Sequence, residues 1–89
     1  MAKEDNEGEK DMESLGGMVL SSKVRRRILR SLLERERRFS DLLQKTQTTH
    51  GNLNYHLISM RSVGLLMKQR NVYALSRLGK KVARRYLEK

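Results

Sequence analysis

Two short amphipathic segments joined by a polar turn constrain the fold of this chain more than any other feature. The first centres on Phe39–Leu43, the second on Thr49–Leu57, and the turn between them is Gln44–Thr48. The second segment carries small hydrogen-bonding side chains, although charged residues make up 34% of the chain. A helix that enters a DNA groove must present small or polar side chains, because a bulky apolar face does not fit there. The pattern therefore predicts a helix-turn-helix and a nucleic-acid partner.

The composition limits the alternatives. A chain of 89 residues forms one small domain, and a hydrophobic content of 37% supports one core. Because the chain has no cysteine, packing must stabilise it without disulfides, which makes dimerisation a natural supplement. No apolar run approaches the ~20 residues that span a bilayer, and the first residues are too acidic for a secretory signal. We expect a cytoplasmic, nucleoid-associated protein with no membrane partner.

The net charge of +10 is unevenly distributed. Residues 1–13 hold six acids and two bases, while the rest of the chain holds 18 bases and four acids. The first segment has almost no apolar residue, so it cannot bury enough surface to offset the entropy lost on ordering. We therefore predict a disordered acidic tail over 1–17, ending at Gly16-Gly17, and a folded domain over 18–89. The tail is either a solubilising leader or an internal DNA mimic that competes for the basic face.

The first helix of the domain is predicted to begin after a serine cap, either Ser21 or Ser22. Its apolar residues cover an arc of about 180°, wider than the ~100° stripe of an ordinary surface helix. These residues are Val24, Ile28, Leu29, Leu32 and Leu33. A helix with so wide an apolar arc needs two partners, namely its own core and a further surface. The charged residues 34–38 are expected to form a connector.

The second and third helices form the predicted helix-turn-helix. Ser40 is expected to cap a short helix, with Phe39 just outside the cap as a hydrophobic contact. Thr48 or Thr49 is expected to cap the third helix, which runs to about residue 62. The core side of this helix is defined by residues that lie within about 60° of one another at 100° per residue. They are Leu53, Leu57 and Met60.

A hairpin and a last helix complete the predicted fold. Val63-Gly64 ends the third helix, and the strands 65–69 and 71–75 follow. Asn71 is expected to supply the positive φ of the tight turn between them. Ser76 caps a last helix with an apolar face made by Leu78, Val82 and Tyr86. The fold class is therefore mainly α with a small β-hairpin, a winged helix-turn-helix of order α-α-α-β-β-α.

Several short motifs in this order resemble a known superfamily. They are Arg27-Ile28-Leu29-x-x-Leu32, Phe39-Ser40-Asp41-Leu42, Asn52-Leu53-x-Tyr55-His56-Leu57-x-x-Met60, Gly64-Leu65-Leu66 and Tyr73-x-Leu75-Ser76-x-x-Gly79. Together they resemble the winged-helix transcriptional regulators of the ArsR/MarR-like superfamily, closest to the archaeal and archaeal-virus types. The resemblance covers residues 20–83 and implies a dimer, a recognition helix in the major groove and a wing near the minor groove. The chain departs from it in its short wing and in lacking the cysteines of the metal-sensing branch.

Metal binding and catalysis find little support among the residues. His50 and His56 lie about 9 Å apart along one helix axis at 1.5 Å per residue, too far to share a metal. We expect His56 to be a core-edge histidine that hydrogen-bonds a neighbouring helix, whereas His50 is open to a phosphate or base contact. Asp41 is the only acid between Glu36 and Glu88, too few for paired acid–base chemistry. No enzyme activity, metal or other cofactor is expected.

DNA contacts are assigned to the third helix and to cations on either side of it. Asn52 and Asn54 offer paired donor and acceptor atoms to adenine, Thr49 suits a thymine methyl group, and Tyr55 suits a phosphate or a sugar. Lys45, Lys68 and Arg70 are expected to contact phosphates. The full set of predicted DNA-binding residues is Ser40, Lys45, Gln47, Thr48, Thr49, His50, Asn52, Asn54, Tyr55, Arg61, Lys68 and Arg70.

A homodimer is predicted because a monomer of this size would leave apolar helix surface uncovered. The expected interface lies on the first and last helices and on the segment before them, and consists of Val19, Leu20, Leu29, Leu33, Ala83 and Leu87. We expect a dimeric regulator that binds specific double-stranded DNA and represses by occupying promoters. The alternatives are a sequence-nonspecific architectural DNA-binding protein and a winged-helix module that docks an acidic protein partner.

Overall fold

The computed structural model describes residues 12–88, which form five helices and one three-stranded antiparallel sheet. Residues 12–20 are helical and are called α1. The elements after it are α2 (Lys23–Glu34), β1 (Arg37–Arg38), α3 (Phe39–Thr46), α4 (His50–Ser62), β2 (Leu66–Gln69), β3 (Val72–Leu75) and α5 (Arg77–Tyr86). The prediction of a mainly helical chain with a small hairpin is confirmed. Among the described residues, no helix is both long and apolar enough to cross a bilayer.

The sheet contains one strand more than the sequence pattern predicts. Its order is β1-β3-β2, and Arg37 pairs with Tyr73 while Leu66 pairs with Leu75. The prediction of a charged connector over residues 34–38 is wrong for residues 37–38, which form β1. Arg37 is buried there because its guanidinium donates to the Ser31 carbonyl at 3.2 Å and to the Glu34 carboxylate at 2.5 Å. These partners satisfy a charge that the sequence pattern assigned to solvent.

The N-terminal helix α1 corrects the predicted domain boundary. Residues 12–17 were assigned to a disordered tail, but they are helical, and Gly16 is buried inside α1. A Cβ atom at Gly16 would lie 2.4 Å from the Tyr86 ring, so only glycine lets α1 approach α5 this closely. The glycine pair therefore marks a packing contact between helices and not the end of a tail. Residues 1–11 of the predicted tail lie outside the described residues.

Three of the predicted helix caps are confirmed. The side-chain oxygens of Ser22, Thr49 and Ser76 accept hydrogen bonds from the backbone N–H groups three residues further along. Each bond satisfies a donor that the first turn of its helix would otherwise leave unpaired.

Two local predictions are wrong. Ser40 does not cap α3, because that helix begins at Phe39 and Arg38 occupies the cap position, two residues before the predicted cap. The Asp41 carboxylate instead accepts from the Arg38 N–H at 3.2 Å, which ties the first turn to the end of β1. In the hairpin, the positive φ of 58° belongs to Arg70 and not to Asn71. Gly64, with a φ of 85°, ends α4 as predicted.

One apolar core joins α1, α2, α3, α4, α5 and the sheet. Leu53, Leu57 and Met60 are buried in it, which confirms the predicted core side of α4. The core contains a close backbone approach at Gly79 in α5, where an added Cβ would lie 2.1 Å from the Leu65 carbonyl oxygen. The start of α5 is therefore held against the chain just before β2.

Half of the predicted dimer-interface residues are buried in the core of the single chain. Val19, Leu29 and Ala83 are each 0% exposed within the single chain, so assigning them to a contact with a second copy is wrong. The helix α1, which the sequence pattern did not predict, contributes to this core, since Val19 belongs to it and Met12, Leu15 and Met18 pack against it. Leu33 and Leu87 are half-buried, and Leu20 is 42% exposed.

Candidate nucleic-acid interface

The outward side of α4 is a polar helix face with few charges that the fold leaves uncovered. The buried side of the helix fixes its rotation, so the residues on the other side point away from the core. Gly51, Asn52, Asn54, Tyr55 and Arg61 are all exposed there. Every residue of the predicted DNA-binding set is exposed except Thr48, which is half-buried. The structure therefore leaves the whole set accessible, and the question is which of its members lie together.

The turn before α4 orders the beginning of this face. Gln47 takes the left-handed conformation with a φ of 54°, and its N–H donates to the Leu43 carbonyl at 3.0 Å. The Thr49 hydroxyl accepts from the Asn52 N–H at 3.1 Å, while the Asn52 Nδ2 donates to the Thr48 hydroxyl at 2.8 Å. One amide of the predicted reading face is therefore already engaged within the chain.

A depression of about 370 Å³ lies between α4 and the hairpin formed by β2 and β3. We call it the α4–hairpin groove. It brings together four members of the predicted set, which come from three separate elements of the fold. They are Ser40, His50, Asn54 and Lys68.

Aromatic rings form part of the wall of the α4–hairpin groove. The Phe39 and His50 ring centroids are 4.5 Å apart, so the start of α3 packs against the start of α4. The Lys68 Nζ lies 5.4 Å from the centroid of the Tyr73 ring, a distance at which an ammonium group is attracted to an aromatic face. Packing therefore restrains the positions of His50 and Lys68 before any partner arrives.

A second depression lies along the C-terminal half of α4. Its volume is about 560 Å³, and Lys68 lines both depressions. Arg61 joins Lys68 here, so two cations of the predicted set lie between α4 and β2. Large apolar side chains also line it, namely Ile58, Leu66 and Met67. Because Lys68 lines both depressions, we call them together the α4–hairpin face.

Three members of the predicted set lie apart from this face or at its margin. Lys45 lines a separate depression between α2 and α3 with Arg27, Arg30, Ser31 and Glu34. Arg70 lies at the hairpin turn, in a depression that also contains Glu36. Tyr55 is 61% exposed, and its ring meets the His56 ring edge-on at 5.3 Å.

His56 has a structural role, as predicted. The Arg25 Nε donates to its Nδ1 at 3.2 Å, which links α2 to α4. Burial, and then the charge of Arg25, lower the pKa of His56 below its ordinary value. Because Nδ1 accepts a hydrogen bond, the ring is neutral and carries its proton on Nε2. Within the described residues, no group of three or more His, Asp or Glu side chains is placed to hold a metal ion.

The structure adds residues that the sequence pattern did not single out. Arg38 and Asn71 line the α4–hairpin groove, and Ile58 and Met67 line the second depression. Arg38 could not be found from periodicity, because a strand of two residues has none. Ile58 could have been found, since at 100° per residue it falls about 40° from Asn54.

Comparison with known families gives one assignment. The chain matches the DUF7347 family, described as a domain of unknown function, over residues 18–86, and it belongs to that family. The match begins within α1 and extends to the last residue of α5. Neither the curated proteins nor the solved structures contain a match.

Proposed function

We propose that this chain is a winged helix-turn-helix regulator that binds double-stranded DNA. In this proposal, α3 and α4 with the turn between them are the helix-turn-helix, and the β2–β3 hairpin is the wing. The observation that carries the proposal is the chemistry of the α4–hairpin face. Of the described residues, those lining its two depressions include cations and amides but no acid. Such a surface suits a polyanion whose groove edges offer hydrogen-bond donors and acceptors.

Within the proposal, the polar groups divide into two roles. Asn54 lies in the α4–hairpin groove and makes no side-chain hydrogen bond within residues 12–88, so its amide is available to a base edge. Asparagine pairs well with adenine, because its amide matches the donor and acceptor of that base. Arg61 and Lys68 would contact phosphates and so set the position of the helix without reading the sequence.

The proposed regulator acts as a dimer and represses by occupying promoter DNA. Two copies of a recognition helix on neighbouring half-sites increase both affinity and specificity. Three residues of the expected interface keep exposed surface, namely Leu20, Leu33 and Leu87. They remain the residues through which we propose that two chains meet.

One observation favours a second function, sequence-nonspecific architectural binding. Cations continue well beyond the α4–hairpin face, into the depression that Lys45 shares with Arg27 and Arg30. The exposed side of α5 adds five further cations, Arg77, Lys80, Lys81, Arg84 and Arg85. Cations distributed over so wide a surface would bind the DNA backbone independently of its sequence.

Binding-site selection from random duplex DNA at fixed salt separates the two functions. A regulator should bind its best site at least ~10³-fold more tightly than random sequence, whereas an architectural protein should show almost no difference. A salt titration from 50 to 200 mM then tests the electrostatic contacts with DNA phosphates. Each neutralised phosphate should contribute a slope of about −0.9 to log affinity against log salt, with roughly three to five phosphates per chain. A flat response to salt would contradict DNA binding of either kind.

A further inference from the structure

Two large apolar side chains are unusually exposed on the α4–hairpin face. Ile58 is 54% exposed and Met67 is 55% exposed, and both line the depression of about 560 Å³ between α4 and β2. They come from different elements, a helix and a strand, and the fold brings them into one depression. Single exposed apolar side chains are common, but a pair that shares a concave surface calls for a partner.

The charges around this pair indicate the kind of partner. Arg61 and Lys68 line the same depression, and of the described residues that line it none is acidic. A second copy of the chain, related by a two-fold axis through this surface, would bring these cations close to their own counterparts. Like charges that lose water together are repelled, so a second copy is disfavoured. The occupant must combine negative charge with a small apolar group.

The position of Ile58 narrows the choice further. It follows Asn54 by about one helical turn and is rotated from it by about 40°. The two side chains therefore face the same partner, which the proposed function identifies as the DNA major groove. The only apolar group that bases present in that groove is the C5 methyl group of thymine.

We propose that Ile58 and Met67 form a recognition site for the C5 methyl group of thymine, next to the base that Asn54 contacts. This inference rests on the proposed function and deepens it, since it names a base and an atom. Arg61 and Lys68 border the site and hold the adjacent phosphates. The methyl group leaves water as it packs between the isoleucine and methionine side chains, and that desolvation provides the preference.

Replacement of thymine by deoxyuridine tests this proposal, because the two bases differ only in the methyl group. The probe is the best duplex from the site selection, compared with the same duplex in which deoxyuridine replaces every thymine. We expect affinity to fall about fourfold for each methyl group that the protein buries. Fluorescence anisotropy at one salt concentration measures both affinities.

Single variants assign the effect to residues. Ile58→Ala and Met67→Ala should each lower the thymine-to-deoxyuridine ratio relative to the unchanged chain, because each removes part of the surface that buries the methyl group. Val63→Ala is the matched control, because Val63 is apolar and 40% exposed but does not line the depression. Its ratio should equal that of the unchanged chain. Thermal melting followed by circular dichroism confirms that each variant is folded.

The possible failures are distinguishable. If no duplex binds at any salt concentration, the proposed function and this inference are both overturned. If a selected duplex binds tightly but equally well with either base, only the methyl site is overturned. A ratio that persists in Ile58→Ala and Met67→Ala overturns it as well. The methyl site is also overturned if the unchanged chain binds both duplexes equally while Ile58→Ala abolishes binding to vesicles of anionic lipid.

Discussion

Three arginines of α2 and two polar side chains of α4, Asn54 and Arg61, are used in opposite ways. Arg25 donates to His56 and to the Met18 carbonyl, Arg26 to the Leu20 carbonyl, and Arg27 to the Thr46 carbonyl. These bonds connect α2 to α1, α3 and α4. On α4, by contrast, Asn54 and Arg61 make no side-chain hydrogen bond within residues 12–88.

This contrast shows that charge density is a poor guide to a binding surface. The run Arg25-Arg26-Arg27 is the longest run of consecutive arginines in the sequence, yet it holds helices of the same chain together. The α4–hairpin face has fewer charges, and its Arg61 makes no side-chain hydrogen bond within the described residues. Side chains that folding leaves unpaired are the ones that a partner can engage at little structural cost.

The largest expected effect comes from breaking the scaffold on the side of α2 and α5. Gly79→Ala places a Cβ atom 2.1 Å from the Leu65 carbonyl oxygen, which is backbone and cannot move aside. We expect the free energy of unfolding to fall by about 3 kcal/mol or more. Urea denaturation measures it. Gly17→Ala is the matched control, since an added Cβ there meets nothing within 4 Å, and a similar loss in both variants would contradict the packing argument.

The next largest effect is expected on the DNA affinity of variants in and near the α4–hairpin face. Asn54→Ala should weaken binding to the best site by ~1–3 kcal/mol and leave binding to random DNA almost unchanged. Asn52→Ala should relax base preference less, because the Asn52 amide already donates to Thr48. Arg70→Ala should weaken binding to all sequences by similar amounts. Equal losses for Asn54→Ala on every duplex, measured by anisotropy, would favour the architectural function.

A smaller effect tests the role of the α2 arginines. Arg27→Ala removes the hydrogen bond to the Thr46 carbonyl and should lower the free energy of unfolding by ~1 kcal/mol. The exposed neighbour Arg30 makes no such bond within the described residues, so Arg30→Ala should leave stability nearly unchanged. The comparison between α2 and α4 fails if the two variants have the same urea midpoint.

The smallest effect is on pH dependence. Burial, and then Arg25, hold the pKa of His56 below its ordinary value of 6.5, so the unfolded chain binds a proton more readily than the folded one. The stability from neutral His56 is therefore complete above pH 6.5 and is lost as the pH falls through the lower, folded-state pKa. Urea titrations at several pH values should show this loss. His56→Gln should flatten it, whereas the exposed-face variant His50→Gln should retain it.

Local chemistry explains which parts of the fold were predictable. The caps at Ser22, Thr49 and Ser76 depend on neighbours within three residues, so the sequence carries the whole interaction. The role of Gly16 depends on Tyr86, at the opposite end of the described chain, and no local pattern reports such a contact. Strand β1 was not predicted because two consecutive arginines are usually exposed to solvent. The burial of Arg37 depends on hydrogen bonds to Ser31 and Glu34 of α2.

In the candidate site, too, only the features that depend on local spacing were predictable. The face of α4 follows from the spacing of its buried residues, which puts Asn52 and Tyr55 on the far side of the helix and Asn54 and Arg61 on one flank. The meeting of Ser40, His50 and Lys68 in one groove could not be predicted, because it depends on how α3, α4 and the hairpin pack. The separation of Lys45 from that groove has the same origin.

The junction of β1 with α3 has a consequence for the shape of any bound duplex. Arg38 is the last residue of β1 and also the cap of α3, and β1 pairs with β3, so no linker separates the hairpin from the helix. The spacing between the hairpin and α3 is thus fixed by the protein, so in the proposed complex a duplex that contacts both would have to adapt its shape to it. Flexible steps such as TA and CA would deform more easily than stiff A-tracts. Part of the sequence preference would then reside in base pairs that no side chain contacts.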